Sequence, residues 1–308
     1  MTQTDHAAPE AASLDPFAPD LAGHYADDLV RVFREDGRSH RSDSEPIVRT
    51  PHFRLLRVCR HVEVGHLLRP DQLDNDLAGL LADELFTPGW LSGNDVFERV
   101  FTGVVRSTMT DPLLAWATFY GNTLAKIRQS WSNHGPPQAP SLIGDMAPVY
   151  ARALRLVPDG VVLDLGSCFG FFPLLLAERP QNSVIASDIV AGAMRLLKLM
   201  AKVRHLSLDT LVCDAGQVPL PDGCVDTVTA IHLLEHLEPG QGSDVLGEAL
   251  RLASRRVVVA VPFEDEPATV YGHVRNFDTS VLTQIGAETG HLFTVSEHHG
   301  GWLVLDKN

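Results

Sequence analysis

The stretch Val161-Val-Leu-Asp-Leu-Gly-Ser-Cys-Phe-Gly-Phe-Phe172 constrains the fold of this chain more than any other. It opens as a short apolar run of the kind a fully buried parallel strand needs. It breaks at Asp164 and Gly166, and Gly170 then opens a second apolar run, Phe171 to Ala177, long enough for a helix. Strand, glycine turn and helix together present backbone N–H groups and a positive helix end to a ligand. Glycine at the turn lets a ligand lie against bare backbone.

The residues that follow repeat the alternation. Strands are expected at Val184–Asp188, Leu211–Asp214, Val225–Ile231 and Arg256–Pro262, and a closing pair at Leu292–Glu297 and Gly301–Leu305. Helices are expected at Ala191–Val203, Val245–Ser254 and Ser280–Thr289. Alternating strands and helices imply a mostly parallel sheet with helices on both faces, an α/β fold. A helix over Ile143–Leu156 leads into the key stretch.

The N-terminal part reads differently. Residues 1–20 are rich in Ala, Pro, Asp and Glu, with no basic or apolar leader, and read as a disordered lead-in. Residues 21–131 are expected to form a mainly helical cap, with a helix-like pattern over Leu21–Arg34 and helices over Leu73–Phe86, Val96–Met109 and Leu113–Trp131. Asp111 is a candidate N-cap with Pro112 at the first helical position. Ile47–Val64 fits a strand or a helix equally. Residues 132–142, rich in Gly and Pro, read as a linker to a domain over 143–308.

Composition excludes several classes. Acidic residues outnumber basic ones 39 to 25, a formal charge of −14, so the basic patch that nucleic-acid binding needs is missing. No apolar run approaches the roughly 20 residues of a membrane span. The cysteines Cys59, Cys168, Cys213 and Cys224 are scattered without a CxxC pair, which argues against a disulfide framework and suits a reducing cytoplasm. Nothing in the sequence gives the oligomeric state.

Two nucleotide-site readings compete for the glycine turn. A dinucleotide site wants G-x-G-x-x-G, and counted from Gly166 this chain has Cys168 and Phe171 where the second and third glycines belong. A Phe there obstructs close helix–strand packing. Asp164-Leu-Gly166-Ser-Cys168-Phe-Gly170 instead resembles the D/E-x-G-x-G-x-G motif of class I S-adenosylmethionine-dependent methyltransferases, with Cys168 in place of the middle glycine. Pro219-Leu-Pro-Asp-Gly-Cys-Val-Asp226 and Leu234-Glu-His-Leu237 resemble later segments of the same family, and the resemblance covers about residues 145 to 305. It implies a Rossmann-like, mostly parallel seven-stranded sheet and S-adenosylmethionine as cofactor. It implies cofactor contacts from Asp164, Gly166, Cys168, Gly170, Asp188, Ile189, Asp214 and Ala215. In the family an acidic residue at the position of Asp188 accepts the ribose hydroxyls, and one at Asp214 accepts from the adenine amino group.

The acceptor that the resemblance implies is a small molecule or oligosaccharide, with a sugar hydroxyl expected. Such a hydroxyl is a poor nucleophile and needs a base as it attacks. His273, within Tyr271-Gly-His-Val-Arg-Asn-Phe277, is the first candidate, followed by His236 and His232, with His298 and His299 further along; Arg275 is expected to hold a loop or an acceptor oxygen. His232-Leu-Leu-Glu-His236 also fits H-x-x-E-H, but zinc proteolysis needs a long helix presenting both histidines, and this pattern sits at a strand end. Glu264-Asp-Glu266 could hold a divalent ion, although a solvated loop explains it as well, and no metal is assigned. The Arg- and His-rich stretch 47–66 and the aromatics Trp90, Trp116, Tyr120 and Trp131 could line an acceptor cleft. Methylation of a phenol or lipid intermediate, or a cofactor-binding scaffold without catalysis, are the alternatives.

Overall fold

The computed structural model describes residues 24–35, 46–58, 61–132 and 141–307. The expected lead-in and most of the expected linker lie outside them. Strands β1 (His24–Ala26), β2 (Val30–Arg34), β3 (Val48–Arg49), β4 (Phe53–Val58) and β5 (His61–His66) form a five-stranded sheet in the order β1-β2-β5-β4-β3. Helices α1 (Leu77–Leu81), α2 (Asn94–Ser107) and α3 (Pro112–Ser132) follow.

The helix expected over Leu21–Arg34 is therefore corrected to two strands. Asp27 is the reason: its Oδ1 accepts the N–H groups of Leu29 and Val30, both at 2.8 Å, and folds the chain into a tight turn. Val30 and Val32 then bury one face of β2. Gly103 lets α2 lie on that face, since a Cβ there would stand 2.4 Å from Val32 Cγ2. Ile47–Val64, ambiguous in sequence, resolves as strands β3 to β5. The cap is thus helices over a sheet rather than helices alone.

The helix expected over Leu73–Phe86 is also interrupted. Asn122 Nδ2 donates to the carbonyls of Pro70 and Leu73, and Asp74 Oδ1 accepts the Asp76 N–H at 2.9 Å. These side-chain bonds compete with the helical ladder, so only α1 is regular, continued by a wider turn over Ala82–Phe86. Helix α3 starts as expected, with Asp111 Oδ1 accepting from Leu113 and Leu114.

Helix α4 (Leu142–Leu156), capped by the Ser141 side chain, leads into β6 (Gly160–Leu165), α5 (Phe171–Ala177), β7 (Asn182–Asp188), α6 (Ala191–Val203) and β8 (Asp209–Val212). Then come β9 (Val225–Ile231), α7 (Pro239–Leu252), β10 (Ala253–Val261), α8 (Thr279–Glu288), β11 (Leu292–Glu297) and β12 (Gly301–Asp306). The second sheet has seven strands in the order β11-β12-β10-β9-β6-β7-β8. Strands β6 to β10 run parallel, and β12 is antiparallel to both its neighbours. This is the Rossmann-like class I methyltransferase fold.

Apolar residues cover both faces of the second sheet. On one side Val162, Val184 and Val258 join a core shared with Phe119, Phe171 and Leu197. On the other, Leu163, Val228 and Val257 pack with Val245, Leu246 and Leu282. Tyr120 spans to the glycine turn, its hydroxyl donating to the Phe169 carbonyl at 2.7 Å. No helix among the described residues is long and apolar enough to cross a membrane.

Candidate active site

The turn after β6 follows from its glycines. Gly166 has φ +67 and Gly170 φ +72. A Cβ on Gly166 would stand 2.7 Å from the Leu233 side chain, and one on Gly170 would stand 2.4 Å from Leu197. Cys168, between them, adopts φ +50, a conformation that glycine takes freely and other residues rarely. The cysteine thus follows the backbone path that the missing glycine would take. Phe171 opens α5 and packs against Phe119, Tyr120 and Phe169, which fills the space a dinucleotide site needs there.

Two cavities meet at Asp188. The first, about 630 Å³, lies at the carboxyl ends of β6 to β9 and is lined by Gly166, Asp188, Ile189, Asp214, Ala215 and Leu233 among others. The second, about 500 Å³, lies between the cap and the second sheet, with Phe97, Glu98, Trp116, Cys168, Phe169 and His236 in its wall. Asp188 accepts the Cys168 N–H at 2.8 Å and the Val190 N–H at 2.9 Å. Asp214 lies just past β8 and accepts the Gly216 N–H.

The expected cofactor residues therefore divide. Gly166, Cys168, Asp188, Ile189, Asp214 and Ala215 line one cavity or the other. Asp164 and Gly170 line neither. Asp164 is buried beneath the turn, where it accepts from Thr229 Oγ1 at 2.6 Å and Ser167 Oγ at 2.7 Å. Burial pushes its pKa up to about 7, assisted by the charge of Asp188 and opposed by the two hydroxyl donors. Asp164 holds the turn from behind.

The cavity wall is acidic. Burial, with the charges of Asp95 and Asp188, raises the Glu98 pKa above its ordinary value. A cationic ligand would relieve that crowding. These features fit S-adenosylmethionine, whose sulfonium and ammonium groups are both positive. Glu98 escaped sequence reasoning because it sits in an ordinary amphipathic pattern on α2. Leu233 gave no signal beyond its place in an apolar run.

The histidines also divide. His236 lines the second cavity, and its ring meets His273 edge-on with centroids 4.8 Å apart. His273, 9% exposed, places Nδ1 2.9 Å from Glu264 Oε2. His236 Nδ1 faces the Gly272 carbonyl at 3.3 Å. Part of His236 reaches solvent, yet desolvation of its ring lowers its pKa below the usual histidine value, helped by His273 and opposed by Glu235. His232, at φ +55, sets Nδ1 3.1 Å from Glu235 Oε1. His298 and His299 pair with each other in the β11–β12 hairpin and line neither cavity.

Other residues turn elsewhere. Glu264 turns to His273, and the Asp265 carbonyl accepts from Asn276. Arg54 and His52 pair with Glu35 and Glu84 rather than facing a cleft. Of the aromatics, Trp116 reaches the second cavity, Tyr120 is core, and Trp131 donates to the Ala147 carbonyl. Arg275 stacks on Phe277 and so holds its own loop.

Residues 163–261 match the family described as Methyltransferase domain. The family match marks residues 163–261 as a methyltransferase domain, and the strand order and glycine turn agree with it. Among curated proteins, the chain is 31% identical to the demethylmenaquinone methyltransferase of Thermus thermophilus over 137 residues, 44% of this chain and 61% of that one. It is 31% identical to the demethylmenaquinone methyltransferase of Deinococcus radiodurans over 162 residues, 51% of this chain and 63% of that one. The chain thus spans a little under two-thirds of each relative's length. Among solved structures, the magnesium protoporphyrin IX methyltransferase of Synechocystis PCC 6803 with bound S-adenosylmethionine aligns over 58% of this chain and 89% of its own, at 18% identity and TM-score 0.42.

Proposed function

We propose that this protein is an O-methyltransferase that moves a methyl group from S-adenosylmethionine to a hydroxyl of a sugar. The observation that carries this reading is the junction at Asp188, where an acidic glycine-turn cleft opens into a second cavity with His236 in its wall. In this reading Asp188 accepts the ribose hydroxyls, Asp214 faces the adenine edge, and Gly166 and Cys168 supply bare or nearly bare backbone beneath the cofactor. Glu98 faces its cationic end. The cofactor supplies an activated methyl on a sulfonium, so alignment provides much of the rate.

The acceptor hydroxyl then needs to lose its proton as it attacks. The Gly272 carbonyl fixes the His236 tautomer, with Nδ1–H turned toward it and Nε2 carrying the lone pair. The lowered pKa keeps that imidazole neutral near pH 7. His236 is the histidine at the cavity wall and His273 supports it from behind. Asp164-Leu-Gly-Ser-Cys-Phe-Gly-Phe-Phe172, Tyr271-Gly-His-Val-Arg275 and His298-His-Gly-Gly-Trp-Leu-Val-Leu305 resemble the mycofactocin oligosaccharide methyltransferase. That resemblance supports a glucose hydroxyl on an oligosaccharide as acceptor.

A second reading, methylation of an aromatic acceptor, is favoured by the ring-rich wall of Phe97, Phe101, Trp116 and Phe169 and by the names of the two curated relatives. Calorimetry with S-adenosylmethionine, S-adenosylhomocysteine and NAD comes first, with binding of the first two and none of NAD expected. Turnover of oligoglucosides against demethylated quinols and simple phenols then separates the acceptors. Transfer to the aromatic compounds alone would overturn the sugar reading. Cofactor binding without transfer to any of them would leave a scaffold.

A further inference from the structure

No long helix carries the sequence His232-Leu-Leu-Glu-His236: Leu234–His236 is a single short 3-10 turn. Yet part of that segment meets a residue from a distant loop. One potential ligand atom from each of Glu235, His236 and His273 lies within 4.8 Å of the others. The Val274 N–H donates to the Glu235 carbonyl at 2.8 Å and ties the two segments together.

Glu235 points to a missing ligand. It is fully buried, and neither of its carboxylate oxygens has a hydrogen-bond partner among the described residues. A buried carboxylate is costly unless a cation or proton donors compensate it. His232 Nδ1 stands near one oxygen but outside hydrogen-bond alignment, and its own Nε2 is buried without a partner. The positive φ of His232 stores backbone strain at the same place.

The neighbouring bonds suit coordination. Glu264 engages His273 Nδ1, which leaves Nε2 as the nitrogen with a free lone pair. A carboxylate behind a ligating histidine is the usual arrangement for orienting that ligand. His236 has its Nδ1 turned to the Gly272 carbonyl, which frees Nε2 likewise.

We propose that Glu235, His236 and His273 form a binding site for one divalent transition-metal cation, positioned by Glu264 and open toward the second cavity. Two imidazoles and one carboxylate suit Zn²⁺ or Mn²⁺ better than the all-oxygen preferences of Mg²⁺ and Ca²⁺. Three protein ligands leave a position for an exogenous oxygen. The use of the site rests on the methyl-transfer reading; its existence does not. An acceptor hydroxyl bound at the open position would lose its proton to water. Its oxygen would form the new bond to the methyl carbon while the carbon–sulfur bond breaks and its electron pair stays on sulfur. His236 would then be a ligand, and the cation would replace its lone pair in ionising the hydroxyl.

The test is calorimetric titration of the full chain, stripped with a chelator, with ZnCl₂, MnCl₂ and MgCl₂. A Co²⁺ absorption spectrum and a titration with S-adenosylmethionine are run on the same samples. One Zn²⁺ or Mn²⁺ per chain is expected, with Mg²⁺ much weaker and no thiolate charge-transfer band from Co²⁺. Glu235→Gln and His236→Ala should each weaken the ion at least tenfold, and Glu264→Ala about tenfold or more. Glu266→Gln, on the exposed loop, should change nothing. His236 is partly exposed, so its variant will fold even if Glu235→Gln does not. Wild-type affinity in the His236 variant, a thiolate band, or no bound ion would overturn the site and leave Glu235 with His232 as its nearest polar neighbour. Ion binding with no cofactor binding would keep the site and remove the methyl-transfer reading.

Discussion

The backbone N–H of Cys168 donates to Asp188 Oδ2 at 2.8 Å, while Oδ1 accepts from Val190 at 2.9 Å. One carboxylate thus ties the glycine turn to the end of β7 and lines both cavities. Asp188→Ala should weaken S-adenosylmethionine binding at least tenfold, since a hydrogen bond to a charged group contributes about 1.5–3 kcal/mol. Asp188→Asn should fall between, because its NH₂ group must face one of the two N–H donors. Calorimetry checks both, and unchanged affinity in a folded Ala variant would remove Asp188 from the site.

Cys168 takes a left-handed conformation in which a side chain costs roughly 1–2 kcal/mol. Cys168→Gly should relieve that strain, offset in part by the greater freedom of glycine in the unfolded chain. The expected result is a melting temperature equal to or above wild type, with cofactor affinity preserved. Cys168→Val should lose stability, because a branched side chain tolerates this backbone least. A large fall in melting temperature for the Gly variant would mean that the thiol itself stabilises the turn.

Much of the second sheet was legible because its strands are buried on both faces and read as apolar runs. The strand expected over Val225–Ile231 has those bounds, and the helix expected from Ala191 to about Val203 is α6. The first sheet was not legible. Strand β2 is five residues long and pairs with β5, far along the chain, so its pattern alone could not be told from a helix. Asp188 and Asp214 stand out in the sequence because they follow apolar strands, and both line the first cavity. The meeting of His236 with His273 depends on how the loop after β10 folds back, held by the Val274 N–H on the Glu235 carbonyl, and no local spacing encodes that.

Asp164 gives the protein a pH signature. Its pKa in the fold is about 7, against 3.8 for an unstrained carboxyl. Between those values the folded chain holds a proton that the unfolded chain has released, so stability falls as pH rises from about 4 to about 7 and then levels. Below that window both states are protonated and the penalty vanishes. Asp164→Asn keeps an acceptor for Thr229 without the buried charge. Its melting temperature should vary less with pH than that of wild type, and match or exceed it at pH 8. Calorimetric scans from pH 5 to 8 without cofactor test this, and an unaltered slope in the variant would assign the dependence elsewhere.

In the proposed reading, Glu264 acts on the acceptor side through His273. Both its oxygens lie close to His273 Nδ1, at 3.0 and 2.9 Å, so the ring is held in one tautomer with the lone pair on Nε2. Glu264→Gln retains an acceptor for the Nδ1–H and should keep kcat within about tenfold of wild type. Glu264→Ala frees the ring to rotate or change tautomer and should lower kcat about 10- to 100-fold. KM for S-adenosylmethionine should stay unchanged in both, because Glu264 lines neither cavity. A purely structural role would instead make Gln and Ala alike and lower the melting temperature along with the rate. Steady-state kinetics on the two variants, with thermal scans on the same preparations, tell these outcomes apart: equal losses in both would take Glu264 out of the chemistry, and rescue by Gln would keep it there.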